Sequence, residues 1–154
     1  MIRTLTFLIL NFGALYIGAL LMGGSPAENE WYQSLDKAPW TPPGWMFGVA
    51  WTVIMICFSV YMGLVSVRYS GHKLQLLILL YSLQWVLNAG WNLIFFNFHW
   101  PILGTLILLG LILILLLIHF NFANSESLLK LILLPYLLWL IVATSLNGYI
   151  LFMN

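Results

Sequence analysis

Charge is what this sequence has least of. Five Lys or Arg and four Asp or Glu make up 6% of its 154 residues, whereas a soluble globular domain carries about 25% charged residues. Residues 4–27, 38–67, 74–125 and 131–154 contain no charged side chain. Each of these windows is long enough for one or two membrane-spanning helices, which need roughly 20 apolar residues. The shortage of charge excludes a soluble domain and predicts an integral membrane protein.

Other shortages narrow the function. The single Cys57 has no partner for an intramolecular disulfide, and a net charge of +1 gives no basic patch that could hold a nucleic-acid backbone. His72, His99 and His119 lie in separate segments, and all four acidic residues lie outside the predicted spans. We therefore predict no nucleic-acid partner, no metal site and no Ser-His-Asp arrangement, and we expect the three histidines at the membrane interface.

The hydrophobic pattern predicts a single all-α domain, residues 1–154, built as a bundle of five transmembrane helices. The helices are expected at about 4–23, 43–67, 74–96, 101–121 and 128–152, with one substantial extramembrane loop at 24–42. A first segment cleaved as a signal peptide would leave four helices, but its apolar stretch exceeds the usual roughly 7 to 15 residues.

The basic residues predict the orientation in the cell membrane. Arg3, Arg68, Lys73 and Lys130 share the N-terminal side of the five predicted spans, and Lys37 alone lies on the other side. The positive-inside rule then places the N-terminus in the cytoplasm and the 24–42 loop outside.

Polar side chains inside the predicted spans form stripes. Gln84, Asn88 and Asn92 recur every four residues, so they share one helix face, which is expected to point away from lipid. Two alternatives remain open: the amides hydrogen-bond neighbouring helices, or they line a cavity. The fifth and second helices carry similar faces, formed by Trp139, Ala143 and Asn147 and by Phe47, Trp51 and Phe58.

Three motifs resemble those of the translocator protein family, also called tryptophan-rich sensory proteins. They are WYQSLDKAPWTPP at 31–43 followed by Phe47, Gly48 and Trp51; WVLNAGW at 85–91 followed by Phe95 and Phe96; and the segment 135–147 with Pro135, Tyr136, Trp139, Ala143 and Asn147. Three separated motifs in this order on five spans cover essentially the whole chain.

The resemblance implies a five-helix bundle, usually a homodimer in the lipid membrane, with a ligand pocket beneath the 24–42 loop. The family's ligands are porphyrins such as heme and protoporphyrin IX, sterols, and isoquinoline-carboxamide or benzodiazepine-type molecules. By motif, Trp40, Pro42 and Pro43 would shape the lid, and the pocket would be lined by Tyr32, Trp51, Asn88, Trp91, Trp139, Ala143 and Asn147.

The chain departs from the family pattern at two places. Ala38 separates Lys37 from Pro39, where most members have Pro directly after the basic residue, so we expect a different backbone path in the lid. No Lys or Arg follows Lys130, so the aromatic-plus-basic sterol motif near the end of the fifth helix is incomplete at Tyr149.

These features favour a membrane receptor or sensor that binds porphyrin as a ligand and requires no cofactor. Lys37 is the candidate partner for the porphyrin carboxylates on the lid side. One alternative is light-dependent degradation of the porphyrin, in which Trp51 and Trp139 would be the catalytic residues. Another is transport of porphyrin or sterol, although the spans contain no charged relay.

Overall fold

The structure, a computed structural model, describes residues 2–123 and 127–154. Within these ranges the chain forms six α-helices, a π-helical turn at Leu93–Asn97 that extends the fourth helix, and no β-strand. The helices are α1 Ile2–Met22, α2 Glu30–Ser34, α3 Gly44–Ser66, α4 Gly71–Asn92, α5 Pro101–Phe122 and α6 Ser127–Met153. All but α2 are long and apolar enough to cross a membrane. The predicted all-α bundle of five transmembrane helices is confirmed.

The five long helices pack as a closed ring. Helix α1 contacts α3 and α4, α3 contacts α6, α6 contacts α5, and α5 returns to α4. The end of α1, the start of α3 and the ends of α4 and α6 therefore meet on one side of the bundle, where residues 24–42 connect α1 to α3. We call this the lid side, and the segment 24–42 the lid loop.

Aromatic rings fill the middle of the ring of helices. Phe58 stacks on Tyr61 and Tyr81 with centroid distances of 6.3 and 6.0 Å, and Tyr136 meets Phe58 edge-on at 5.3 Å. These four side chains come from α3, α4 and α6 and are at most 4% exposed. Because lipid is as apolar as the core, close packing of this kind, rather than escape from water, holds the helices together.

A polar network joins α1 to its neighbours within the core. The Asn11 amide donates to Ser59 Oγ at 2.9 Å, and Asn11 Oδ1 accepts from the Tyr81 hydroxyl at 2.8 Å. Ser59 in turn donates to the Met55 carbonyl at 2.6 Å. Asn11 is 1% exposed, so the network satisfies an amide that α1 carries into the bundle interior.

The packing around one histidine was not expected. His119 lies in the last turn of α5, is 6% exposed and faces the other helices of the bundle. Its Nδ1 lies 3.2 Å from the Tyr61 hydroxyl on α3. This partner is 58 residues away in the sequence, which is why local pattern did not reveal it.

The lid loop contains structure that the sequence analysis left out. Asn29 caps the short helix α2, since its Oδ1 accepts from the Tyr32 backbone N–H at 2.9 Å. At the far end of α4, the π-helical turn carries two buried adjacent rings, Phe95 and Phe96, that stand perpendicular to each other at 4.9 Å. Tyr32 packs edge-on against both rings, so α2 is held over the end of α4.

Candidate functional site

The lid loop is fastened to the bundle at several separate points. Asn29 Nδ2 donates to the Phe96 carbonyl at 3.4 Å, at the end of α4. The backbone N–H and carbonyl of Asp36 both bond the side chain of Asn154, at 2.9 and 3.3 Å. The Trp40 indole donates to Ser145 Oγ on α6 at 3.2 Å. The loop therefore crosses the lid side from α1 over α4 to α6 before it enters α3.

Lys37 is occupied within the lid loop. Its ammonium donates to the carbonyls of Tyr32 and Gln33, each at 3.2 Å, and to Gln33 Oε1 at 3.4 Å. It also lies 5.2 Å from the centroid of the Tyr32 ring. A cation at the C-terminal end of α2 is favourable because the last carbonyls of a helix are unpaired. The residue that we expected to meet porphyrin carboxylates thus stabilises α2.

Glu28 closes the first turn of the lid loop. Its Oε2 accepts hydrogen bonds from both the hydroxyl and the backbone N–H of Ser25, each at 2.8 Å. These two bonds favour the ionised form and lower the pKa of the Glu28 carboxyl below its ordinary value. Gly24 has φ of +134°, and a Cβ there would lie 2.8 Å from Glu28 Oε2. A left-handed backbone and a close carboxylate therefore both favour glycine at this position.

A cavity of about 510 Å³ lies beneath the first part of the lid loop. Its lining comes from α1, α3, the end of α4 and the turn at Gly24–Pro26, and we call it the α1–α3–α4 cavity. The volume is in the range of pockets that bind drug-sized molecules. Six aromatic side chains contribute to its wall: Phe12, Trp45, Phe47, Trp51, Trp91 and Phe96.

The three amides of the α4 stripe do not share one role: one hydrogen-bonds a neighbouring helix, and two line a cavity. Gln84 Nε2 donates to the Tyr136 hydroxyl on α6 at 2.7 Å, so it joins helices. Asn88 and Asn92 line the α1–α3–α4 cavity. Asn92 donates to the Asn88 carbonyl at 3.5 Å, whereas the Asn88 side chain, on a residue 6% exposed, makes no hydrogen bond to any described residue.

Trp91 forms part of the cavity wall and faces α5 with its polar edge. Its ring stacks on Phe95 at 5.0 Å, and its buried Nε1 has no hydrogen-bond partner in the described ranges. A Cβ on Gly104 of α5 would lie 3.4 Å from this Nε1 and 3.0 Å from Asn147 Nδ2. Because Gly104 has no side chain, Trp91 of α4 and Asn147 of α6 can both pack against α5 at this position.

The predicted pocket residues do not all share one space. Trp51, Asn88 and Trp91 line the α1–α3–α4 cavity. Asn147 instead joins α6 to α5, since its Nδ2 donates to the Pro101 carbonyl and to Thr105 Oγ1, both at 3.0 Å. Tyr32 is buried against the π-helical turn, where burial raises the pKa of its hydroxyl.

The remaining predicted residues lie nearer to α6. Trp139 lines a separate groove of about 310 Å³ between α3 and α6, and its ring meets Phe47 edge-on at 5.4 Å. Ala143 packs against the main core cluster. Of the three lid residues, Trp40 packs edge-on against Tyr149 at 5.5 Å. The other two, Pro42 and Pro43, lead into α3, where Pro43 occupies the N-cap.

Helix α1 contributes to the cavity in a way that the sequence analysis missed. Phe12, Leu15, Ala19 and Met22 line it from this helix. Ala14 also lines it and is 2% exposed, in contact with the packed interior. The only pattern in the α1 sequence that could have indicated a cavity was the spacing of small residues along a mostly apolar helix. That spacing is equally typical of close helix packing.

A second space lies on the lid side between α5 and α6. This outer cavity, about 690 Å³, is lined by Trp31, His99, Trp100, Ile102 and other residues of the lid loop, α5 and α6. The Trp31 and His99 rings stack at 4.3 Å. Trp91, Phe95 and Phe96 form an aromatic wall, with Trp91 and Phe96 facing the α1–α3–α4 cavity and Phe95 meeting Trp31 edge-on at 5.3 Å.

The chain is similar to known proteins over most of its length. The model of the TspO/MBR family matches residues 6–153. The chain is 31% identical to the tryptophan-rich protein TspO of Chlorobaculum tepidum, over 92% of this chain and 94% of that protein. It is 28% identical to the tryptophan-rich sensory protein of Cereibacter sphaeroides, over 87% of each. The translocator protein of Homo sapiens is 30% identical over 86% of this chain and 78% of that protein.

Proposed function

The chain belongs to the TspO/MBR family of integral membrane proteins, and on that premise we propose that it is a receptor or sensor that binds porphyrins in the α1–α3–α4 cavity. The proposed ligands are heme and protoporphyrin IX. Smaller isoquinoline-carboxamide and benzodiazepine-type molecules would bind in the same cavity. The sensory and translocator names of two relatives are consistent with this role.

The observation that carries the proposal is the Asn88 side chain. Its amide lacks a hydrogen-bond partner among the described residues, on a residue 6% exposed at the wall of a largely aromatic cavity. An unpartnered polar group in an apolar environment is costly, and a few polar groups on an aromatic wall are typical of ligand pockets. A flat aromatic ligand would pack between the rings and complete the hydrogen bonding of Asn88.

Light-dependent degradation has less support. That alternative needs Trp51 and Trp139 beside one ligand, but Trp51 lines the α1–α3–α4 cavity and Trp139 lines the groove between α3 and α6. Phe47 contacts Trp139 and lines the cavity, so a ring lies between the two spaces. We therefore keep the receptor as the proposal.

Substitution of Asn88 by Leu tests the proposal. Leu has a similar size and no polar group, so we expect the free energy of unfolding to stay the same or to rise, because an unpartnered amide is removed. Protoporphyrin IX should bind about tenfold more weakly, which corresponds to the loss of one hydrogen bond of about 1.4 kcal/mol. Titration of the protein in lipid nanodiscs, followed by tryptophan fluorescence, measures both the affinity and the site.

Two tryptophan variants locate the ligand. Trp51→Phe should remove a large part of the quenching if porphyrin enters the α1–α3–α4 cavity, whereas Trp100→Phe, in the outer cavity, is the matched control and should leave the quenching nearly unchanged. Unchanged affinity in Asn88→Leu, or quenching lost in Trp100→Phe instead of Trp51→Phe, would contradict the assignment of the site.

A further inference from the structure

The charges around the α1–α3–α4 cavity do not suit an anionic ligand. Among the described residues, its lining contains no Lys, Arg, Asp or Glu. Its polar lining groups are neutral, such as Ser25, Thr52, Asn88 and Asn92. A carboxylate that enters such a cavity loses water and gains no opposite charge, which is unfavourable.

Cations elsewhere in the protein cannot supply the missing charge. On the lid side, Lys37 is the one basic residue of segment 24–42, and its ammonium is committed to α2 through three hydrogen bonds and the Tyr32 ring. The other four Lys and Arg residues flank the opposite ends of the helices. That side lies about 35 Å from the lid side, the length of the 23-residue helix α3 at 1.5 Å per residue, which is too far for those side chains to pair with a ligand beneath the lid loop.

Among the described residues, Glu28 places a negative charge against the cavity wall. Glu28 Oε2 is 2.8 Å from both the Ser25 hydroxyl and the Ser25 backbone N–H, and a Cβ on Gly24 would lie at the same distance from it. Gly24 and Ser25 both line the cavity. The carboxylate of Glu28 is thus one residue layer behind the lining, at the end nearest to the lid loop.

We propose that Glu28 is a specificity-determining residue, and that the α1–α3–α4 cavity selects flat aromatic ligands whose polar groups are uncharged or cationic over ligands that carry carboxylates. This inference rests on the proposed function, because it concerns the ligand of the same cavity. It refines that function: a tetrapyrrole would bind best with its carboxyl groups esterified, amidated or directed out of the cavity.

The experiment compares protoporphyrin IX with its dimethyl ester. Both have the same ring, but the ester has no charge at neutral pH. Affinities are measured by tryptophan quenching in nanodiscs of zwitterionic lipid, and the signal of protein-free nanodiscs is subtracted. We expect the unmodified protein to bind the ester about tenfold more tightly than the diacid.

Glu28→Gln isolates the contribution of the carboxylate. Gln keeps an oxygen acceptor for the Ser25 N–H and removes the charge, so the lid turn is preserved. Glu28 is exposed, so water screens its charge, and the preference for the ester should fall by about threefold at low salt, as expected for two charges roughly 6 to 8 Å apart in water. The change should shrink at 0.5 M salt because of ionic screening. Comparing the ratio of the two affinities between variants cancels the greater partitioning of the ester into lipid.

Glu30→Gln is the matched control. It removes the same charge from the same loop, but within the described part of the chain Glu30 neither lines the cavity nor hydrogen-bonds a lining residue. The ester preference should therefore change by less than about 1.5-fold, since a more distant exposed charge is screened. The salt dependence is a readout that a structural role of Glu28 would not produce.

The outcomes separate the two proposals. If neither porphyrin quenches beyond the protein-free background, the proposed function is wrong. If both bind and the diacid binds as tightly as the ester, or if Glu28→Gln and Glu30→Gln change the preference equally, the function stands and the inference about Glu28 is wrong. The inference about Glu28 is supported if the preference for the ester falls in Glu28→Gln and not in Glu30→Gln, and if this fall is smaller at high salt.

Discussion

Substituting Asn11 should show how much one buried amide contributes to the free energy of unfolding of the bundle. Asn11 is the group through which α1 hydrogen-bonds both Ser59 on α3 and Tyr81 on α4, at 2.9 and 2.8 Å. The next residue, Phe12, begins the α1 part of the cavity lining. The network therefore lies at the floor of the cavity and joins the three helices that form it.

The expected magnitude follows from the partners that each variant leaves behind. In bilayers an interhelical hydrogen bond contributes on average about 0.6 kcal/mol and at most about 1.7 kcal/mol. Asn11→Ala removes two such bonds, leaves the buried Tyr81 hydroxyl unpaired and opens a small void, so we expect a loss of about 2 kcal/mol. Ser59→Ala breaks one interhelical bond and leaves the bond from Tyr81 to Asn11, so it should cost less, about 0.6 kcal/mol.

The assay is reversible unfolding in mixed micelles with increasing SDS, followed by circular dichroism. Asn121→Ala is the control, because Asn121 is exposed and its side chain donates to the Leu117 carbonyl of its own helix. A change within about 0.5 kcal/mol in the free energy of unfolding is expected there. A double-mutant cycle with Tyr81→Phe should give a coupling of about 0.6 to 1.7 kcal/mol. Equal losses for Asn11→Ala and Asn121→Ala, or strict additivity with Tyr81→Phe, would refute the reasoning.

Two further predictions concern close packing and the lid loop. Gly63→Ala should destabilise the protein by about 1 to 3 kcal/mol in the same assay, because a Cβ there would lie 3.0 Å from the backbone Cα of Thr4. Gly148→Ala is the control and should be neutral or stabilising, because a Cβ there would meet no atom of the described residues within 4 Å. Equal effects of the two substitutions would contradict the close approach of α1 to α3. Asn154→Ala removes both side-chain bonds to the Asp36 backbone, so amide hydrogen exchange at Asp36 should become faster, and an unchanged rate would mean that other contacts hold the lid loop.

The transmembrane helices could be predicted from the sequence because a bilayer places one simple demand on it. A span of apolar residues without charge is sufficient to cross, and the windows 4–27, 38–67, 74–125 and 131–154 meet that demand whatever their neighbours are. The order of the helices in the ring is not encoded in this way. It depends on side-chain fit, such as the approach of α1 to Gly63.

The site residues were less predictable because helical spacing identifies a face and not the neighbour of that face. Asn88 and Asn147 occupy equivalent stripes on their helices, yet Asn88 lines the cavity and Asn147 bonds α5. Asn11 stands alone on an apolar helix and forms no stripe. His119 depends on a distant hydroxyl, so its burial was also beyond the reach of local pattern.

The hydrogen bonds of the amides inside the spans distinguish residues that join helices from a residue available to a ligand. The aromatic residues do not allow this distinction, because they pack in the core and line cavities alike. Asn11, Gln84 and Asn147 each donate to a neighbouring helix, and Asn92 donates to the carbonyl of Asn88 within α4. Asn88 is the amide of this set whose side chain has no hydrogen bond to the described residues. Lipid offers no partner for a buried amide, and the ligand proposed for this cavity would supply one. The same reasoning limits the chemistry of that ligand: a neutral amide beside a cavity with Glu28 at its edge accommodates an uncharged polar group more readily than a carboxylate.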